Sequence, residues 1–431
     1  MAVASRSRPI RASAPLLPAL LLTILAAGCL NFVQSSFKQT AVSSRAVARS
    51  AMPFGRKKNV VDVEEVDKDE NDTESANVDA VADDAVNGTE EQAAKEQVEN
   101  KPQGTKVAII TGASTGIGLA TVEGMAKSGL YKTIVMAGRD AVKHEVAITG
   151  LQKKLGEDVE LIFLPLELSS LQSVRDFVKE FKTMDLPLHT LILNAGVMML
   201  PERKTTEDGY EYQFGVNHLS HFLLANLLLD DMAEVATASD PGRVISLSSA
   251  AHFFPSPLLK GKVNDLQSVR YTPVGAYGQS KLANLLFAYE LDRRLAAKGV
   301  PITANAIHPG GVDTELSRYI TGENSFLNRI QSVLPKFNGV FTKTPEEGAK
   351  TSVLLATSDF GKMSGRYWQN EKPAASVSFD LTSGMVSEKN LPFQASVTSY
   401  DPQVWEQLWT ESEKLVSLTS DEVPRVFQVD E

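Results

Sequence analysis

The chain has 431 residues, of which 43% are hydrophobic, 22% charged and 7% aromatic, so it can bury a substantial core; wholesale disorder, a collagen-like chain and a polytopic membrane protein are excluded. A single cysteine, Cys29, excludes a disulfide framework and any cysteine-rich zinc or iron–sulfur site. The formal charge of −10 argues against a nucleic-acid-binding protein, although it averages three very different stretches.

The first stretch is basic. Nine Lys or Arg and no acid precede Asp62. Arg6, Arg8 and Arg11 stand before an apolar run from Ala14 to Leu30, which Pro15 and Pro18 interrupt and which is short for a bilayer span. With the small residues Ala26, Ala27 and Gly28 near its end, segment 1–30 has the proportions of a signal peptide. Segment 31–61, rich in Ser, Ala, Arg and Lys, has the composition of an organelle transit peptide. In series, with Phe32 as an early aromatic, the two resemble the bipartite leaders of algae whose plastids lie behind extra membranes. A plastid address is therefore expected. An uncleaved membrane anchor, plain secretion and a lipoprotein box ending at Cys29 remain open alternatives.

The second stretch, 62–104, is acidic. Between 62 and 100, fifteen acids face only Lys68 and Lys95, a local charge of −13. Apart from valine it has almost no large aliphatic or aromatic side chain, so burial cannot offset chain entropy and a disordered linker is expected. Two N-x-T triplets, at Asn71 and Asn87, match the glycosylation acceptor pattern, which is common by chance. The rest of the chain, near −6, has the texture of one globular domain over 105–420.

From Thr105 onward, short β-rich runs alternate with segments of helical spacing. The predicted strands are Lys106–Thr111, Thr133–Ala137, Val159–Leu164, Thr190–Leu193, Arg243–Leu247 and Ile302–Ile307, and the predicted helices include Ile117–Ser128, Leu171–Phe181, Val216–Met232 and Ala276–Ala297. This alternation calls for an α/β fold: one Rossmann-like, doubly wound parallel sheet with helices on both faces. No period of 20 to 50 residues recurs.

The first strand runs directly into Thr111-Gly112-Ala113-Ser114-Thr115-Gly116-Ile117-Gly118, after which Leu119, Val122 and Met125 recur at helical spacing. In that context Gly112 permits a tight turn, Gly116 lets the backbone approach a pyrophosphate, and Gly118 lets helix pack on strand. The helix N-terminus adds N–H groups and positive dipole, so a dinucleotide site is expected. After the second strand, where an NAD-binding chain carries an acid for the ribose hydroxyls, the sequence reads Ala137-Gly138-Arg139-Asp140. Arg139 suits a 2′-phosphate and points to NADP (NADPH), unless it is a solvated charge at the strand end; Asp140 keeps some ambiguity.

Tyr277 and Lys281 stand four apart near the start of a helix and so share a face. A phenol is a poor acid–base catalyst at neutral pH, and a neighbouring ammonium together with a nicotinamide cation would favour its anion. Alone, that spacing describes ordinary surface packing. Here a buried strand ends in Ser248-Ser249 just before it, and Ser249 is the candidate for holding the substrate oxygen, with Ser248 structural.

Taken in order, TGASTGIG, LNAG, VNHLSHF, ISLSS, YGQSK and HPGGVDT resemble the short-chain dehydrogenase/reductase superfamily over about residues 105–320. The resemblance implies a catalytic tetrad of Asn217, Ser249, Tyr277 and Lys281, with Asn217 holding a water that links Lys281 to solvent. It implies cofactor contacts from Asn194, Ala195 and Gly196, and from Pro309, Gly310, Val312 and Thr314 at the nicotinamide end. Glu167-Leu168 stands where the family has Asp-Leu near the adenine. His218, His221 and His308 are expected to pack or hydrogen-bond rather than catalyse, and no metal is expected.

Within the superfamily, segments such as EDGYEYQFGVNHLSHFLLANLLL and SGRYW resemble the retinol-dehydrogenase-like enzymes and the light-dependent protochlorophyllide reductases. Ala283 stands where the second group carries a reactive cysteine, which ranks the first group higher. The function implied is hydride transfer between NADP(H) and a bulky apolar carbonyl or alcohol, with Tyr277 exchanging the proton. Protochlorophyllide reduction and a non-catalytic NADP-sensing role at a plastid membrane are the alternatives. Membrane association would be peripheral, and a homo-oligomer is compatible with the sequence. Apolar residues over 312–345, from Leu316 to Leu334, suggest either a lid or an ordinary amphipathic helix pair. Trp405 and Trp409 are expected as packing anchors.

Overall fold

The computed structural model describes residues 105–312, 343–374 and 401–428, apart from residue 157 and most of 254–270. The leader, the acidic linker, residues 313–342 of the stretch read as a lid or an amphipathic helix pair, and with them Thr314, lie outside the described residues.

Eight strands form one sheet in the order β3-β2-β1-β4-β5-β6-β7-β8. They are β1 (Lys106–Thr111), β2 (Tyr131–Gly138), β3 (Glu160–Pro165), β4 (Leu188–Leu193), β5 (Gly242–Leu247), β6 (Ile302–His308), β7 (Arg366–Gln369) and β8 (Lys372–Pro373). All neighbours pair in parallel except β7 with β8. Strands β5 and β6 are buried along their whole length, as expected where helices cover both faces. Successive residues feed opposite cores. Ile109, Val135 and Leu191 join one hydrophobic cluster, and Ala108, Ile110, Ile134 and Ile192 the other.

The helices are α1 (Gly116–Lys127), α2 (Ala141–Leu155), α3 (Leu171–Thr183), α4 (Ser220–Val235), α5 (Pro273–Lys298), α6 (Pro345–Thr357) and α7 (Pro402–Leu415). The first cluster is closed by α3, α4, α5 and α7, and the second by α1, α2 and α6. Local chemistry sets the ends. Thr272 caps α5, accepting from the Gly275 N–H at 3.1 Å ahead of Pro273 in the first turn, and Gly299 at φ +65° terminates it in the left-handed region. Thr344 and Glu347 form a reciprocal capping box on α6.

The six predicted strands are present, each within two residues of its expected ends. The edge pair β7 and β8 was not anticipated. Asn305 of β6 pins β7, its Oδ1 accepting from the Arg366 backbone and from the Trp368 indole, each at 3.1 Å. A side chain on a neighbouring strand thus fixes a run too short to carry a periodic signal. The predicted Val216–Met232 helix is interrupted at its start: Gly215–Leu219 forms a π-helical turn between a short turn at Tyr212–Phe214 and α4. Packing also continues past residue 420, where Phe427 meets the edge of Trp409 and the Arg425 backbone N–H donates to Asp230.

Candidate active site

Strand order reverses at β1 and β4, and a cavity of about 890 Å³ opens beyond their carboxyl ends, where doubly wound sheets bind ligands. The glycine loop, Arg139, Glu167, Leu168, Asn194–Gly196, Ser249, Tyr277, Lys281, Pro309, Gly310 and Val312 all line it. Thr111 and Asn217 are fully buried outside that lining.

Gly112 (φ +66°) and Gly116 (φ +56°) occupy the left-handed region that the loop's turns demand. A Cβ on Gly118 would lie 2.2 Å from the Gly112 carbonyl oxygen and 2.6 Å from Asn194 Nδ2. The third glycine therefore closes the loop on itself and on Asn194, a tighter role than the helix–strand packing expected of it. Thr111 organises the floor: its Oγ1 accepts from the N–H groups of Asn194 and Ala195, both at 2.9 Å, and Asn194 Nδ2 donates to the Thr111 carbonyl at 2.8 Å. Helix α1 starts here with no side-chain cap and no acid in its first turn, so its positive end faces the cavity without a resident anion. A loop whose three glycines admit no Cβ without strain or clash, beside an uncapped helix terminus, fits a dinucleotide pyrophosphate.

Tyr277 and Lys281 lie on the first turns of α5, with Lys281 Nζ 5.7 Å from the centroid of the phenol ring. The ammonium donates to the Leu247 carbonyl at 2.9 Å, which fixes it at the end of β5. Burial pushes the Tyr277 phenol up to about 12, partly offset by a hydrogen bond with Ser249, and pulls Lys281 down to about 8. By themselves these side chains keep the proton on the phenol; the anion expected from the sequence draws also on a nicotinamide cation beside it. Ser248 Oγ donates to the Lys281 carbonyl at 2.7 Å, the structural place expected for it. Asn217 sits in the π-helical turn, its Oδ1 accepting from Val197 N at 2.8 Å while Nδ2 donates to Val197 O and Ser280 Oγ, each at 2.9 Å.

Arg139 extends beyond the end of β2, with its side chain 60% exposed and 3.7 Å from the Glu167 carboxylate. Glu167 also accepts from the Ser169 N–H at 2.9 Å. Leu168 is buried in the first cluster while still reaching the cavity. Asp140 caps α2, accepting from the Lys143 N–H at 3.0 Å, so its charge serves the helix start.

The three histidines are buried, and burial pulls His218 down to about 3 and His221 and His308 down to about 4. His218 Nε2 pairs with Ser412 of α7 at 2.9 Å. His221 joins the Asn217 carbonyl to Thr111. Among the described residues no cluster of His, Cys, Asp and Glu could hold a metal ion, and no helix is long and apolar enough to cross a membrane. Sequence reasoning missed Met198, Met199 and Gln213; the first two line the cavity, and the third ties them from behind. Their one signal was position, beside LNAG and inside the run that leads to Asn217.

Residues 106–261 match the family model of the short chain dehydrogenase. Polyprenol dehydrogenase of Homo sapiens is 37% identical over 314 residues, covering 72% of this chain and 85% of that protein. Retinol dehydrogenase 12 of Mus musculus is 43% identical over 271 residues, covering 62% and 78%. Retinol dehydrogenase 13 of Homo sapiens is 39% identical over 324 residues, covering 74% and 86%.

Proposed function

We propose that this chain, an oxidoreductase that belongs to the short-chain dehydrogenase/reductase family, uses NADP(H) to interconvert a bulky apolar carbonyl compound and its alcohol. The observation that carries the proposal is the meeting of the glycine loop with Ser249, Tyr277 and Lys281 around one cavity. The names of the relatives, which are polyprenol and retinol dehydrogenases, support an apolar substrate.

The residues divide the work by chemistry. The first-turn amides of α1 and the loop at Gly112–Gly118 would hold the pyrophosphate, and Asn194–Gly196 and Pro309–Val312 would contact the rest of the dinucleotide. Thr314 is proposed to join them at the nicotinamide end. Arg139 is the cation that would meet a 2′-phosphate, while Asp140 spends one carboxylate oxygen on its helix cap. When bound, the nicotinamide supplies the hydride. Ser249 holds the substrate oxygen, and Tyr277, whose phenol keeps its proton to about 12, donates to that oxygen during reduction. Lys281, anchored on the Leu247 carbonyl, stabilises the phenolate left behind. Asn217, held by Val197 and Ser280, fixes the turn beside Lys281 and is proposed to hold the water that returns the proton. Glu167 and Leu168 would flank the adenine.

The test is NADPH consumption by the purified protein with all-trans-retinal, with NADH in parallel, and then with protochlorophyllide in darkness and under light. Reduction of retinal with NADPH preferred supports the proposal. Product formed only from protochlorophyllide on illumination overturns it. The plastid address is proposed from the leader sequence, and the N-terminal sequence of the mature protein tests it.

A further inference from the structure

Part of the cavity lining is sulfur-rich. Met198 is buried in a small cluster with Ala251 and the ring of Tyr277, and Met199 packs against that cluster. Met199 has φ +51°, a left-handed backbone that a side chain bearing a Cβ resists. Something outside the residue must hold it.

Gln213 does so. Its Oε1 accepts from the Met199 N–H at 2.7 Å, and its Nε2 donates to Tyr271 Oη at 3.1 Å and to the Pro273 carbonyl at 3.2 Å. Tyr271 Oη in turn donates to the Leu200 carbonyl at 2.5 Å, so residues 199 and 200 are tied on both sides of one peptide. Pro273 opens α5, four residues before Tyr277, and Gln213 lies four residues before Asn217. One fully buried carboxamide thus joins the methionine turn, the helix of the proton donor and the approach to the π-helical turn. It does not line the cavity.

We propose that Gln213 is a positioning residue that sets the substrate side of the site. By holding Met199 left-handed it keeps the Met198 side chain against the Tyr277 ring, leaving a polarizable apolar wall beside the reacting carbonyl for an extended hydrocarbon chain. The inference rests on the apolar-carbonyl reading above. Its consequence is selective: loss of the tether weakens binding of long-chain substrates and leaves the chemical step and the dinucleotide untouched.

The experiment uses the full chain and the variants Gln213→Met, which keeps volume and removes the carboxamide, and Gln213→Met/Met199→Gly. KM and kcat are measured with all-trans-retinal and with propanal, alongside the NADPH Kd and hydrogen exchange at the Met199 amide. Gln213→Met is expected to raise the retinal KM about tenfold, with kcat and the propanal kcat/KM within about twofold and NADPH binding unchanged. The double variant should recover most of that loss, because glycine adopts the left-handed turn unaided. Tyr271→Phe, which removes one arm of the tie, gives a smaller rise and serves if Gln213→Met does not fold. A retinal KM unchanged in both, or an equal loss for both aldehydes and for NADPH, overturns the inference. Should the wild type reduce neither aldehyde, the proposed function fails, and the exchange measurement decides the inference alone: Met199 amide protection is lost in Gln213→Met if Gln213 holds the turn and kept if it does not.

Discussion

His221 Nε2 lies 2.9 Å from Thr111 Oγ1, and the direction of that bond is fixed by the other side of the ring. Nδ1 faces the Asn217 carbonyl at 3.0 Å, and a carbonyl can only accept, so Nδ1 carries the proton and Thr111 donates to Nε2. One neutral imidazole therefore connects the π-helical turn to the threonine on which the Asn194 and Ala195 amides rest. Replacing His221 with Leu removes the near acceptor of the buried Thr111 hydroxyl and leaves it only the Ile192 carbonyl at 3.5 Å, at a cost of roughly 1–3 kcal/mol. The expected result is a lower urea midpoint together with weaker NADPH binding, read by denaturation and by fluorescence titration. Unchanged NADPH affinity would show that the link is structural only.

Acid should unfold the protein early. His218, His221, His252 and His308 are buried, and their folded values of about 3 to 4 lie below the ordinary 6.5. Between pH 6.5 and 4 the unfolded chain binds protons that the native rings refuse, so their stability is complete above 6.5 and declines as pH falls through that window. Each ring is expected to cost roughly 1–2 kcal/mol by pH 5. Urea midpoints at pH 7 and pH 5 check this, and equal midpoints would contradict it.

The Arg139–Glu167 pair predicts how cofactor choice responds to mutation. Both side chains are partly solvated and 3.7 Å apart, so the pair itself contributes little and Arg139 is available to a phosphate. Arg139→Ala should raise the NADPH Kd about tenfold while leaving NADH within about twofold. Glu167→Gln removes a carboxylate beside the same phosphate and should tighten NADPH a few-fold, by about 1 kcal/mol at most. Calorimetry with both dinucleotides reads the two effects.

Lys281 sets the alkaline limb of the rate profile. Burial lowers it to about 8, whereas Tyr277 holds its proton to about 12. The ammonium that stabilises the phenolate is therefore lost first, and kcat for carbonyl reduction should fall as pH rises past about 8. Lys281→Met should lose that limb along with most of the activity.

Trp409 is a packing anchor outside the cavity lining. It is buried, stacked on Phe287 at 5.9 Å and covered by the Arg294 guanidinium at 4.5 Å. Trp409→Ala should cost about 3–5 kcal/mol of stability while the residual folded protein keeps its KM for NADPH, which thermal melts and initial rates can separate.

Much of this architecture was legible because buried parallel strands announce themselves as continuous apolar runs: KVAII, TLIL and RVISL each became a central strand. The glycine loop was equally plain, since its backbone conformation restricts residue type. What stayed hidden depends on contacts between distant segments. Strand β7 exists because Asn305 holds it, the π-helical turn at Asn217 leaves no periodic trace, and Gln213 looked like any polar residue in a run of aromatics. The burial of Tyr277 stayed hidden for a related reason. Proximity to Lys281 was readable from spacing, whereas the burial that opposes ionisation belongs to the folded chain.

The most direct test of the account is Tyr277→Phe, assayed for retinal reduction and NADPH binding in the same preparation. Loss of the rate by about 10²–10⁴-fold with an unchanged NADPH Kd is the predicted result. A variant that still reduces retinal at the wild-type rate would contradict the assignment of Tyr277 as the proton donor.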